Sequence, residues 1–149
     1  MLLRRAVRVE VVELAAGENL AVGPLAVCFL DGSLDTFPVV GRLASNYADS
    51  LRDLQHFEES RSLLRKTVPV ARRVLGENDS LTLTMRWNYA NALYKDDDAT
   101  RGDLREAVTT LEDTERIARR VLGGAHPLTM DMEGELQGAR DALYARGLP

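Results

Sequence analysis

The phrase ARRVLGENDSLTL, which begins at Ala71, returns as ARRVLGGAHPLTM at Ala118, 47 positions further on. Ala71/Ala118, Arg72/Arg119, Arg73/Arg120, Val74/Val121, Leu75/Leu122 and Gly76/Gly123 are identical pairs, as are Leu81/Leu128 and Thr82/Thr129. Self-similarity at a period in the forties marks units that cannot bury their apolar faces alone and must stack. A second match lies upstream, where NYADSL from Asn46 and NYANAL from Asn88 stand 42 positions apart. The two offsets differ by five because Leu51 to Phe57 is six steps and the matching Leu93 to Leu104 is eleven. The second unit therefore carries a five-residue insertion within KDDDATRG, between its two halves.

Each unit reads as two helices. In SLTLTMRWNYANALYK, Leu83, Trp87, Ala90 and Tyr94 make one stripe and Met85, Tyr89 and Leu93 an adjoining one. A helix apolar on two sides needs two neighbours. The next helix is expected to open at Asp103, with Glu106 completing an Asp form of the capping box. Leu104, Ala107, Val108, Leu111, Ala118, Val121 and Leu122 follow at helical spacing. Gly76 and Gly123 supply the left-handed residue that ends such helices, with Arg72–Arg73 and Arg119–Arg120 in the last turns where cations suit the dipole. Pro127 fits a first turn, and Leu128, Met132, Leu136, Ala139 and Leu143 carry a further helix to Gly147. The repeated phrase is a helix end, a tight turn and the next helix start.

Two places fit this scheme poorly. Pro69 falls inside FEESRSLLRKTVPVARRVL, where an interior proline costs about 3 kcal/mol or kinks the helix. Residues 1–38 match neither unit. Leu3, Val7, Val11 and Leu14 have the spacing of a degenerate first helix pair, while Val7, Val9 and Val11 alternate equally well as a strand. Helix is the expectation for Leu2 to Ala16, and irregular structure for Gly17 to Asp35. The expected organisation is an N-terminal segment over 1–38 and an all-α repeat domain over 39–149. Its parts are repeat 1 at about 39–76, repeat 2 at about 79–123 and a half repeat at about 127–146, wound as a right-handed α-α superhelix.

Composition narrows the functional classes. A chain of 149 residues with 45% hydrophobic and 28% charged residues has the make-up of one globular domain. A net charge of −4 offers no general attraction to nucleic acid or an anionic membrane. The apolar run Leu20–Leu30 holds Gly23 and Pro24 and is 11 residues long, against the roughly 20 needed to span a bilayer. Glu10 and Glu13 interrupt the N-terminal run that otherwise starts like a targeting segment. The single cysteine, Cys28, allows no internal disulfide and suits a reducing compartment, so a soluble cytoplasmic protein is expected.

The pattern ARRVLG…HPLT…, followed by NYA and an EA at the next helix, resembles the tetratricopeptide repeats of kinesin light chains. The resemblance covers Leu43 to about Tyr144, and LGGAHPLT is its most specific piece; LGENDSLT lacks the His-Pro. It implies that the first helices of the repeats line a concave groove for extended peptides, with an asparagine before each "LA" contacting the peptide. Asn46 and Asn88 match that position, whereas the third unit has Glu135 there. With helical spacing, Asp49, Arg52 and Asp53 in the first unit should project into the groove, as should Asn91, Tyr94 and Lys95 in the second. Their mixed signs depart from the tryptophan-acidic peptide preference of kinesin light chains.

Duller roles compete with several of these. For Asn46 and Asn88 the duller role, capping backbone or bridging adjacent helices, outweighs peptide contact, and Trp87 shares its stripe with Leu83 and Ala90, so packing is expected of it. Asp96–Asp98 lacks the alternating ligands and glycine of a calcium loop and reads as solvated. His56 and His126 have no ligand-like neighbours in sequence, and Cys28 no nucleophile context. LGGAH follows a helix, not the strand that a phosphate loop requires. No cofactor and no catalysis are expected. The function expected is a protein-interaction module binding a partner protein or extended peptide in the groove. The alternative is a structural fragment or terminal cap of a longer array, self-associating through its C-terminal helix with no ligand of its own.

Overall fold

The structure is a computed structural model that describes residues 37–147. Five helices follow one another: α1 (Phe37–Asp53), α2 (Phe57–Val74), α3 (Ser80–Tyr94), α4 (Arg101–Leu122) and α5 (Pro127–Ala145). Among the described residues there is no strand, and no helix is long and apolar enough to cross a membrane. The expectations for Leu2–Ala16 and Gly17–Asp35, and Cys28 with them, lie outside the described residues. α1 includes Phe37 and Pro38, two residues ahead of the first unit drawn from sequence.

Each helix packs on the next, and α3 also touches α1 and α5. Short connections fold consecutive helices back on each other, so the first helices α1, α3 and α5 form one layer and α2 and α4 the other. This is an all-α helical-repeat fold. The two-sided stripe of α3 explains its central place. Its Met85 joins Ala44, Ala48, Leu64 and Ala71 of the first pair. Its Ala90 and Leu93 join Ala107, Leu111, Leu136 and Ala139, and its Leu83 joins Ala118 and Met132. Trp87 packs against both of the latter clusters, a packing role as its stripe implied. Repeat-equivalent positions share their fate: Leu64 and Leu111, and Ala71 and Ala118, are all 0% exposed.

The joints repeat as well. Gly76 and Gly123 have φ of +94° and +93°, and the N-caps three residues on, Asp79 and His126, sit at φ/ψ of −70°/138° and −70°/135°. With its ψ of 156°, Gly123 lies in the extended positive-φ region, not the helical left-handed one.

Two local expectations need correction. α4 starts at Arg101, and its capping box pairs Thr100 with Asp103 instead of Asp103 with Glu106. Asp103 N–H donates to Thr100 Oγ1 at 3.2 Å, and Thr100 N–H donates to Asp103 Oδ2 at 2.8 Å. Threonine is a strong N-cap, so part of the insertion winds into the helix and α4 reaches 22 residues against 18 in α2. Glu106 instead accepts from the Tyr89 hydroxyl at 2.6 Å. Val121 is 43% exposed, because α4 turns it away from the Ala118–Leu122 seam. Pro69 neither ends nor divides α2, which runs on to Val74. The rest of the insertion is tied down from two sides. Arg61 of α2 pairs with Asp96 at 3.3 Å, and Arg146 donates to the carbonyls of Ala99 and Asp97 at 2.5 and 2.6 Å.

Candidate functional site

Because α1, α3 and α5 lie side by side, residues at equivalent positions on them line up across one face. The C-terminal half of α3 lies between that of α1 and the middle of α5, and charged groups from all three helices come together there. On α1, Arg52 pairs with Asp49 at 2.7 Å and with Asp53 at 3.1 Å. On α3, the Tyr94 hydroxyl donates to the Glu135 carboxylate of α5, and Lys95 Nζ pairs with Glu135 Oε1 at 2.8 Å. The Lys95 ammonium also stands 5.7 Å from the Tyr94 ring centre, within cation–π range. Gly138 makes the Tyr94 reach feasible: a Cβ there would lie 3.3 Å from the Tyr94 hydroxyl oxygen.

These groups feel one another. Burial holds the Lys95 ammonium below its ordinary value and the positive Arg52 adds to the effect, while Asp49 and Asp53 oppose it. Burial likewise pushes the Glu135 carboxyl up, against the pull of Arg52. Side-chain exposure falls from 70% at Asp53 to 36% at Lys95, 24% at Glu135 and 17% at Arg52, so the cluster runs from solvent into the seam between helices.

The eight expected groove residues fall into three groups. Asp49, Arg52, Asp53, Tyr94 and Lys95 come together as described. Asn46 is apart from them and exposed, beside a shallow depression shared with Arg42, Ser45, Ser80, Leu81 and Thr84. Asn88 and Asn91 are buried, at 4% and 1% exposure. Asn88 Nδ2 donates to Ser45 Oγ on α1 at 3.3 Å, bridging adjacent first helices. Asn91 does not project as expected. α3 has neighbours on every side that bears an apolar stripe, and the rotation that satisfies them turns Asn91 inward. The side-chain oxygens of Asn88 and Asn91 have no hydrogen-bond donor among the described residues.

Glu135 is the residue that sequence reasoning passed over. It occupies the place of Asn46 and Asn88, and it read as a gap in the ladder because its type differs. The signal was its position: an acid facing the basic Lys95 of the preceding first helix. Among the described residues no group of three or more His, Cys, Asp or Glu side chains is placed to hold a metal ion. The arrangement offers charges of both signs and hydrogen-bonding groups on an elongated face.

A tetratricopeptide repeat family model matches residues 42–81, which run from within α1 through α2 to the first residues of α3. Tetratricopeptide repeats are in general protein–protein interaction modules. No curated protein and no solved structure matches the chain.

Proposed function

We propose that this chain is a non-catalytic interaction module that holds an extended segment of a partner protein across the face formed by α1, α3 and α5. The cluster of Asp49, Arg52, Tyr94, Lys95 and Glu135 carries this reading. Partly buried charges are costly to a face that only has to be wet, and they concentrate where a protein recognises something. Here three successive first helices contribute to one such cluster, as recognition of a long, narrow ligand requires. The kinesin light chain type of repeat supports the same use of the first helices. Its acidic ligands do not carry over: Asp49, Asp53 and Glu135 outnumber Arg52 and Lys95, so a segment with a lysine or arginine beside Asp53 is the better complement. A single cysteine suits a cytoplasmic setting.

The test is selection of peptides from a displayed random library, followed by mapping of backbone amide shifts on the full chain. Shifts should concentrate in α1, α3 and α5, and binding should weaken in a chain carrying Asn46→Ala with Lys95→Ala at unchanged helicity. Shifts confined to α2 and α4, or binding indifferent to both substitutions, would overturn the groove.

A further inference from the structure

Arg42, Asn46, Asp49 and Asp53 follow one another on α1 at intervals of four, three and four, the spacing of a single stripe along a helix. By the repeat they stand beside Thr84, Asn88, Asn91 and Lys95 of α3. The stripe borders both the shallow depression at Asn46 and the charged cluster at Asp49 and Asp53.

Its sign changes along its length. Arg42 is exposed and makes no ion pair or hydrogen bond among the described residues. It lines the depression, about 340 Å³ between the N-terminal halves of α1 and α3, to which Ser80 and Thr84 add hydroxyls. At the other end Arg52, its side chain 17% exposed, is shared between Asp49 and Asp53. One net negative charge is left there, and the Asp53 side chain is 70% exposed. Neither end serves α1 itself. Asp53 closes the helix, at the negative end of its dipole, where an acid is disfavoured. Arg42 has no acid beside it to offset its charge.

We infer, resting on the groove reading above, that this stripe selects a partner segment by charge order, with a glutamate or aspartate at Arg42 and a lysine or arginine at Asp53. The two residues are separated by about 16 Å along α1 at 1.5 Å per residue. An extended chain rises about 3.3 Å per residue, so the two charges of the segment stand about five residues apart. The segment therefore lies along α1 at this edge of the face. A segment with its charges exchanged meets a like charge at both ends and is rejected.

Peptides selected from a displayed random library on the full chain test this by their charge order. An acid about four to six residues from a base, in one chain direction, should be enriched about tenfold over the unselected library. A chain with Arg42→Glu and Asp53→Lys should select the opposite order. Arg42→Gln should lose the preference for the acid and keep that for the base, each variant at unchanged helicity. Binders with no charge order, or the original order selected by the charge-exchanged chain, would overturn the inference and leave the groove standing. A library that yields no binders, or binders that shift only α2 and α4, would sink the groove and this inference with it.

Discussion

Asp79 and His126, 47 positions apart, accept the same hydrogen bond: Asp79 Oδ1 takes the Leu81 N–H at 2.9 Å, and His126 Nδ1 takes the Leu128 N–H at 3.2 Å. Two unlike side chains therefore perform one capping task in a common backbone frame. The missing His-Pro of LGENDSLT is not a lost joint but a differently furnished one. His126→Ala should lower stability by about 1 kcal/mol, the usual cost of an emptied N-cap. His126→Asp should match or exceed the parent, since a carboxylate also suits the positive end of α5. Urea denaturation checks both, and an Asp variant as weak as the Ala variant would show that the shared geometry does not carry shared energy.

Gly123, at φ 93° and ψ 156°, lies in a region that side chains scarcely enter. A Cβ added there would meet nothing within 4 Å, so crowding adds nothing to the backbone strain. Gly123→Ala should cost about 1–3 kcal/mol, read as a fall in the urea midpoint with the slope unchanged. Gly134→Ala, also without a neighbour for its Cβ but inside α5, should instead stabilise by about 0.5–1 kcal/mol. Equal effects at the two glycines would remove the conformational reason for the repeated joint.

The joints and the helix pairs were legible because they are local. A positive-φ glycine, a cap and a 3.6-residue stripe each express themselves over a few residues, and the repeat printed them twice. Rotation of a helix about its own axis was less legible. Val121 belongs to the stripe of α4 by spacing yet stands at its edge, and Asn91 belongs to the exposed side of α3 by spacing yet turns inward, because α3 is gripped by four other helices. The start of α4 was misplaced by two residues, since Asp103 and Thr100 are both plausible caps and only the reciprocal bonds between them decide. In the site, five residues placed by spacing do meet, but the partner that joins them, Glu135, comes from a third helix whose register depends on the insertion upstream.

The Thr100–Asp103 box predicts a pH effect with a definite sign. Hydrogen bonds from the Thr100 side chain and backbone hold the Asp103 carboxyl below its ordinary 3.8, with Arg61 and Arg65 assisting. A depressed carboxyl binds fewer protons folded than unfolded, so its contribution is present above the ordinary value and lost as pH falls through the folded one. Asp103→Asn should therefore lose stability at neutral pH and show a shallower decline below about pH 4. Thr100→Ala should cost about 1 kcal/mol at pH 7. An Asn variant whose acid limb parallels that of the parent would show that the box does not perturb this carboxyl.

Leu111 and Val121 lie on one helix, and spacing alone puts both on its apolar stripe, but their surroundings differ. Leu111 is 0% exposed and enclosed by Ala90, Leu93, Ala107, Leu136 and Ala139 from three helices. Val121 is 43% exposed. Leu111→Ala deletes branched carbon from a site that small alanine neighbours cannot collapse to fill, and it should cost about 2–5 kcal/mol. Val121→Ala removes carbon that water already touches and should stay within about 0.5 kcal/mol of the parent. The pair measures the rotation of α4 about its axis. A turn of the helix that buried Val121 would carry Leu111 off the α3–α5 seam, so comparable losses from both substitutions could not coexist with this packing.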